Sequence, residues 1–303
     1  MRKEPSGVLI VDKPENMSSA RVVAIVKRLF DAKKAGHAGS LDPKATGVLV
    51  CCLNQATKLA RFFLTGGKTY VAVLFLGVET DTQDSTGAII SICEDVNFSE
   101  KTIRSTIKQF EGPVDQYPPV FSALKHKGTP LYRLARDGKP VQKPARRVVI
   151  HSINRIVVRL PEVRFVVSCS SGTYIRTLCA DIGKKLGCGG YLKELRRIES
   201  SGFAIEKALT LPEIERHALA GTLSDHLINM ADALQGMPEV IADDTLAKEI
   251  KNGAVIKESR LSSEGLMGPG GFIKIVDADK KLIAVLKRSD QGERLRYSCV
   301  FHA

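Results

Sequence analysis

Short apolar runs, dense in Val and Ile and closed by turn residues, recur along the first part of the chain. They are GVLIVD at 7–12, GVLVCCL at 47–53, TYVAVLFLG at 69–77, GAIISIC at 87–93, VVIHSINRIVVRL at 148–160 and VRFVVSC at 163–169. β-Branched side chains pack well on a pleated surface, so each run predicts a strand. Between them lie stripes at helical spacing. Val22, Val26, Leu29 and Phe30 follow Ser18 and Ser19, either of which suits the cap position. Ile175, Leu178, Cys179, Ile182 and Leu186 mark a second helix, which Gly187 ends. The two kinds of element do not alternate as regular βαβ units. The pattern therefore predicts an α+β fold built on a mixed, largely antiparallel sheet.

Near residue 240 the pattern changes. NMADALQGMPEV reads as a connector. Beyond it Asp244 is placed to cap a short helix through Lys251, closed by Asn252 and Gly253. Strands follow at 272–276, 282–287 and 294–301, the first two joined by a DADKK turn. In the last, Leu295, Tyr297, Cys299 and Phe301 alternate with Arg294, Arg296 and Ser298. The chain thus divides into residues 1–240 and a small β-rich module over 241–303. The module's own core is thin, so it is expected to lean on the larger part.

Charge adds a partner to this picture. With 303 residues, 45 Lys and Arg stand against 33 Asp and Glu, giving a net charge of +12. A protein this basic meets a polyanion, nucleic acid first, unless the excess is only a solvated surface. The excess is densest in KHKGTPLYRLARDGKPVQKPARR at 125–147, where Lys125, Lys127, Arg133, Arg136, Lys139, Lys143, Arg146 and Arg147 face one acid, Asp137. Gly and Pro prevent one continuous helix. An irregular, aromatic-bearing basic excursion suits a nucleic-acid clamp, although an ordinary solvated loop has the same composition. Lys184, Lys185, Lys193, Arg196 and Arg197 extend the positive charge. Seven cysteines form no CxxC pair, and six histidines form no HxxxH or HExxH. That predicts no structural metal, and buried free thiols in a reducing cytosol. No apolar run approaches the roughly 18 residues of a membrane span. A cytoplasmic protein is expected.

One loop stands apart. GHAGSLDPKATG, residues 36–47, holds three glycines, a proline, a histidine and one acid, Asp42. On its own an Asp beside Pro is a turn former or a helix cap. Arg176 lies at the start of the second helix, where the dipole disfavours a cation unless an anion faces it. Asp42 is a candidate for that anion. Tyr70, heading a very apolar strand, offers a flat ring and a hydroxyl together, though core packing is the commoner role. Asp81 and Asp84 in TDTQDSTG lack calcium-loop spacing and read as turn and cap residues.

Taken in order, VDKPENMSS, AGHAGSLDPKATGVL, ATKLARFF, KTYVAVLFLGVETDTQD, PPVFSALKHKGTPLYRLARDG, CSSGTYIRTLCADIGKKLGCGGYLKELRR and GAVI…GGFIKIVDADKKLIAVLK resemble the bacterial tRNA pseudouridine-55 synthases of the TruB type. The likeness spans nearly the whole chain. It implies a bent mixed sheet with flanking helices around a central RNA-binding cleft. It also implies an RNA-gripping insertion at about 122–147 and a C-terminal PUA-like RNA-binding domain. The implied reaction isomerises uridine 55 of the tRNA T-loop to pseudouridine, with no cofactor and no obligate protein partner. Asp42 corresponds to the nucleophile, acting on the ribose or on the base. Arg176 corresponds to its cationic partner. Tyr70 corresponds to a tyrosine that stacks on the flipped base and is a candidate for later proton transfer. His37 corresponds to a residue that presses into the vacated loop, and Leu195 to an apolar neighbour of the pocket. Lys125, Lys127, Arg133, Arg146, Arg147 and Arg196 are expected to bind RNA. The chain departs from the pattern at Asn16, Ser18, Ala38 and Ser40, all small or turn-compatible changes. Two other roles share these residues: a tRNA-folding chaperone, and a guide-RNA-dependent synthase, whose type lacks the insertion.

Overall fold

In the computed structural model, which describes residues 5–261, 269–289 and 294–301, five of the predicted strands join five that the pattern did not mark in one ten-stranded sheet. Its order is Leu209–Thr210, Gly7–Lys13, Thr46–Leu53, Gly190–Ser200, Lys68–Leu76, Glu162–Cys169, Arg146–Arg159 and Gly112–Gln116. Ala35–His37 adds to Thr46–Leu53, and Phe203–Ala204 adds to Gly190–Ser200. Pairing is antiparallel except between Gly7–Lys13 and Leu209–Thr210 and between Thr46–Leu53 and Gly190–Ser200. The sheet is mixed and largely antiparallel, as the hydrophobic pattern predicts. GAIISIC differs. Ile89–Ile92 pairs only with Val78–Thr80 in a small separate sheet, and Ile89, Ile90 and Ile92 stay exposed.

Helix Ser19–Leu29 forms where predicted. The Ser18 side chain accepts from the Arg21 amide, and Val22 and Val26 turn into the core. Helix Ile175–Leu186 ends on Gly187 at φ 87°, a left-handed position that glycine takes at little cost. It packs on one face of the sheet with Glu100–Lys108, around Phe165, Leu74 and Leu178. Ser19–Leu29 and Leu211–Ala220 pack around Leu9, Leu49 and Ile214. Two of these helices, Glu100–Lys108 and Leu211–Ala220, were not among the stripes singled out in sequence.

The C-terminal sheet runs Glu239–Ile241, Phe272–Val276, Leu282–Arg288, Leu295–Val300. Two expectations shift here. Asp243, not Asp244, caps the helix Asp244–Lys251 by accepting from the Leu246 amide. The stretch read as a connector is packed: it forms helix Met230–Ala233 and buries Ala231, Ala233 and Leu234. These join Phe63 and Phe203 in a core that also contains Val276, Leu282, Val285 and Phe301. The thin module leans on the larger part as expected. Lys274, nearly buried, ties the two by donating to the Ala231 carbonyl at 2.8 Å.

Candidate active site

The loop between Ala35–His37 and Thr46–Leu53 carries Asp42, and its backbone is held at every step. Nη2 and Nη1 of Arg197 donate to the carbonyls of Gly39 and Ser40 at 3.0 and 3.4 Å. Ser19 Oγ donates to the Leu41 carbonyl at 3.0 Å and accepts from its amide at 2.9 Å. The Ala45 amide closes the Asp42-Pro43 turn on the Asp42 carbonyl at 3.1 Å. Lys13 Nζ donates to the Pro43 carbonyl at 3.0 Å. The sequence attributes stiffness here to Gly and Pro; the structure adds three side chains from beneath. Gly47 makes this packing possible. At φ 102° it lies so close to strand Gly190–Ser200 that a Cβ would sit 2.1 Å from the Arg197 carbonyl oxygen.

Asp42 itself is about half exposed, with 51% of its side-chain surface open, while Arg176 is 6% open. Arg176 Nη2 lies 3.6 Å from Asp42 Oδ2, and Nη1 lies 3.4 Å from Asp84 Oδ2. Nη2 also donates to the Phe121 carbonyl at 2.9 Å. The anion that a cation at this helix start requires is therefore a pair of carboxylates. Asp84 is a turn residue, as read: its Oδ1 accepts from the Thr86 amide at 2.9 Å and from the Thr82 hydroxyl at 2.8 Å. Its second oxygen does what the sequence reading missed.

Tyr70 is buried on strand Lys68–Leu76 beside Leu41 and Ala45. Burial raises its pKa, and the charge and hydrogen bond of Arg197 act against that rise. Lys13, fully buried, is pushed down to about 8 by desolvation, with Asp42 and Glu15 opposing. Lys68 is pushed down to about 8 by desolvation and Arg197. His37 is lowered by burial and by Arg197, so it is neutral at pH 7. Its Nδ1 is buried and without a protein partner. A half-open carboxylate beside a buried guanidinium, with a buried tyrosine and an imidazole that both feel the charge of Arg197, makes up the candidate site. Such a set supports covalent attack by a carboxylate with proton transfer nearby. Among the described residues no group of three or more His, Cys, Asp or Glu could hold a metal ion.

Two family descriptions match the chain. The description "TruB family pseudouridylate synthase (N terminal domain)" matches residues 27–175, and "tRNA pseudouridylate synthase B C-terminal domain" matches 176–235. The chain belongs to the TruB family of pseudouridylate synthases. A Syntrophobacter fumaroxidans protein named tRNA pseudouridine synthase B is 40% identical over 99% of this chain and 98% of its own length. One of the same name from Syntrophotalea carbinolica is 42% identical over 88% and 90%. Among solved structures, a Cbf5-Nop10-Gar1 complex aligns with TM-score 0.76 at 27% identity, covering 98% of this chain and 85% of that one. An archaeal box H/ACA sRNP Nop10-Cbf5 complex aligns at 0.73 and 25%, covering 99% and 87%.

Within this TruB-family chain the remaining candidate residues scatter. Leu195 packs, half-buried, on the core that contains Tyr70. Arg196 is engaged internally, donating to both oxygens of Asp12 at 3.0 and 2.7 Å. Arg146 lies 5.1 Å over the Tyr174 ring with a buried, unpartnered Nε. Lys125, Lys127, Arg133 and Arg147 are exposed. The excursion is more ordered than its composition implies: Lys125–His126 pairs with Thr129–Pro130, and Leu131–Arg136 is a short helix anchored by buried Leu131. Arg197, Lys13 and Ser19 were missed as parts of the site, because each acts through backbone atoms far away in sequence.

Proposed function

We propose that this protein converts uridine 55 in the T-loop of tRNA to pseudouridine, with Asp42 as the nucleophile. The observation that carries the reading is the Asp42 loop: a carboxylate open to a ligand, on a backbone fixed at each carbonyl from Gly39 to Pro43, beside a buried arginine. The reaction breaks the bond from uracil N1 to the ribose, turns the base and joins it through carbon 5, which gives up its proton. It is redox-neutral. Asp42 attacks the ribose or the base, Arg176 lies beside it as a cationic partner, and Tyr70 stacks on the uracil. The target must leave its stack, at a cost of a few kcal/mol. His37, held neutral, fits the space that the base vacates.

The exposed cations of 122–147 and the small sheet of 241–303, read as a PUA-like domain, are placed in this reading on the tRNA T-stem. Arg146 is assigned to the edge of the pocket rather than to a distant phosphate. Arg196 contributes through Asp12. The cysteines are free, and most are buried, which suits a reducing cytoplasm. Among the described residues no helix is long and apolar enough to cross a membrane. The Cbf5 likeness supports the shared fold. The full-length relatives named tRNA pseudouridine synthase B favour tRNA as the substrate over a guided RNA.

The test uses a tRNA transcript tritiated at carbon 5 of its uridines. Release of about one equivalent, lost with Asp42→Asn and with cytidine at position 55, is the expected result. Tight binding without release would leave a tRNA-folding role in its place.

A further inference from the structure

Among the described residues Arg197 is the largest side chain that the fold buries completely, with 1% of its surface exposed. It sits on the central strand Gly190–Ser200, in register with Tyr70 on one side and with Gly47 on the other. Its guanidinium reaches three backbone carbonyls: Nε to Val48 at 2.7 Å, Nη2 to Gly39 at 3.0 Å and Nη1 to Ser40 at 3.4 Å. It is also the direct cross-strand neighbour of Tyr70, whose pKa its charge holds down against burial. Among the described residues it has no carboxylate partner within ion-pair distance. A buried charge without a counter-ion costs several kcal/mol. A neutral amide would bond carbonyls more cheaply, but it lacks the planar fork that serves two chain segments at once. The fork's particular consequence is geometric. It joins the start of the loop that bears Asp42, the strand that follows the loop, and the tyrosine on the neighbouring strand.

We propose that Arg197 is a positioning residue, fixing the Asp42 loop and Tyr70 at one separation so that carboxylate and ring meet the same uridine. The proposal rests on the reading of Asp42 and Tyr70 given above. Arg197 touches neither substrate nor carboxylate in this role; it acts through the backbone of Gly39 and Ser40 and through its cross-strand pairing with Tyr70. The other basic groups near it, Lys13, Lys68 and half-buried His37, do not duplicate the link. Lys13 holds Pro43, and Lys68 donates to the carbonyls of Phe63 and Leu64.

The test compares Arg197→Gln and Arg197→Lys with the unchanged full chain on saturating unmodified tRNA transcript. Single-turnover rate, tRNA Kd, melting temperature and hydrogen exchange of the Leu41 and Ala45 amides are read on the same samples. A misplacement near 1 Å costs on the order of 100-fold in rate. Arg197→Gln is therefore expected to lose about that factor, with Kd within about threefold of the unchanged chain and faster exchange in the loop. Arg197→Lys, which keeps the charge and some donors, is expected to recover part of the rate. A rate within about threefold of normal for Arg197→Gln overturns the proposal. So does a Kd that weakens as much as the rate falls. If Arg197→Gln does not fold, Arg197→Lys decides alone: an unchanged rate and loop exchange overturn it, and a slower rate with normal Kd upholds it. Asp42→Asn is run beside them. Turnover in that variant defeats the nucleophile reading, while the exchange rates still judge the Arg197 link.

Discussion

Asp84→Asn is the sharpest test of how the arginine is held. The substitution keeps Oδ1, which accepts from the Thr86 amide and the Thr82 hydroxyl at 2.9 and 2.8 Å, so the turn is preserved. It removes only the charge facing Arg176. Arg176 and Asp84 side chains are 6% and 15% exposed and 3.4 Å apart. At an effective dielectric of about 20 their gross attraction is roughly 5 kcal/mol. Desolvation offsets part of that, but deleting one partner of a buried pair costs about 3 kcal/mol, because the other charge is left behind. Asp42 differs. It is 51% exposed, so solvent screens its pairing to below about 1 kcal/mol. At this chain length about 2 °C of melting temperature accompanies each kcal/mol. Asp84→Asn should therefore melt about 6 °C lower, and Asp42→Asn no more than about 2 °C lower. Turnover should separate them the other way. Asp42→Asn abolishes it, while Asp84→Asn, with Arg176 loosened, loses about tenfold, equivalent to 1.4 kcal/mol of barrier. Thermal melts and single-turnover tritium release decide the matter. An Asp84→Asn protein that melts with the unchanged chain and turns over at its rate would refute the anchoring role.

Three further outcomes are expected. Replacing exposed Lys125, Lys127 and Arg147 by Ala should reduce the slope of log affinity against log salt by about two to three units, since each phosphate contact contributes nearly one. An unchanged slope removes the excursion from the interface. Gly47→Ala should cost at least about 3 kcal/mol in urea unfolding, because its Cβ would meet the Arg197 carbonyl oxygen at 2.1 Å at φ 102°; a stable, active variant would contradict the close approach. His37, lowered by burial and by Arg197, should titrate below the ordinary imidazole value in NMR. The unfolded chain then binds the proton more readily, so folding stability falls as pH drops through about 6.5; a midpoint at or above 6.5 would contradict this.

Strands Gly7–Lys13, Thr46–Leu53, Lys68–Leu76, Arg146–Arg159 and Glu162–Cys169 were legible because they are rich in Val and Ile; Ala35–His37 and Gly112–Gln116, short and poor in such residues, were not. Strand Gly190–Ser200 was not, although it is central. Its register shifts, between Leu192 and Glu194 and between Arg197 and Glu199, break the two-residue period. It also carries Lys193, Glu194, Arg196 and Arg197, which read as a solvated basic stretch. Only tertiary structure shows that Arg197 faces inward and Arg196 is spent on Asp12. The Asp42–Arg176 pairing was legible in part from the helix dipole, and more fully from the family resemblance. Asp84 was hidden because a turn-forming Asp and an arginine-anchoring Asp share one local pattern. The clamping of the loop was hidden for a simpler reason. Lys13, Ser19 and Arg197 approach from three distant segments, and no local spacing encodes their meeting.

The distribution of exposure across the site has a mechanistic consequence. The nucleophile proposed for the reaction must be reachable; Asp42 faces water, and water weakens every interaction that would orient it. Control therefore comes through groups that water does not reach: Arg176, Lys13 and Arg197, each at most 5% exposed. These fix the backbone under the carboxylate and one side of it, leaving the other side open. In the free protein the Asp42–Arg176 attraction is screened and weak. A base seated over the loop would displace that water, and the same charges at the same distance would attract several times more strongly. In the proposed reaction, entry of the uridine would itself complete the electrostatic setting of the carboxylate, on a backbone already bonded from Gly39 to Pro43.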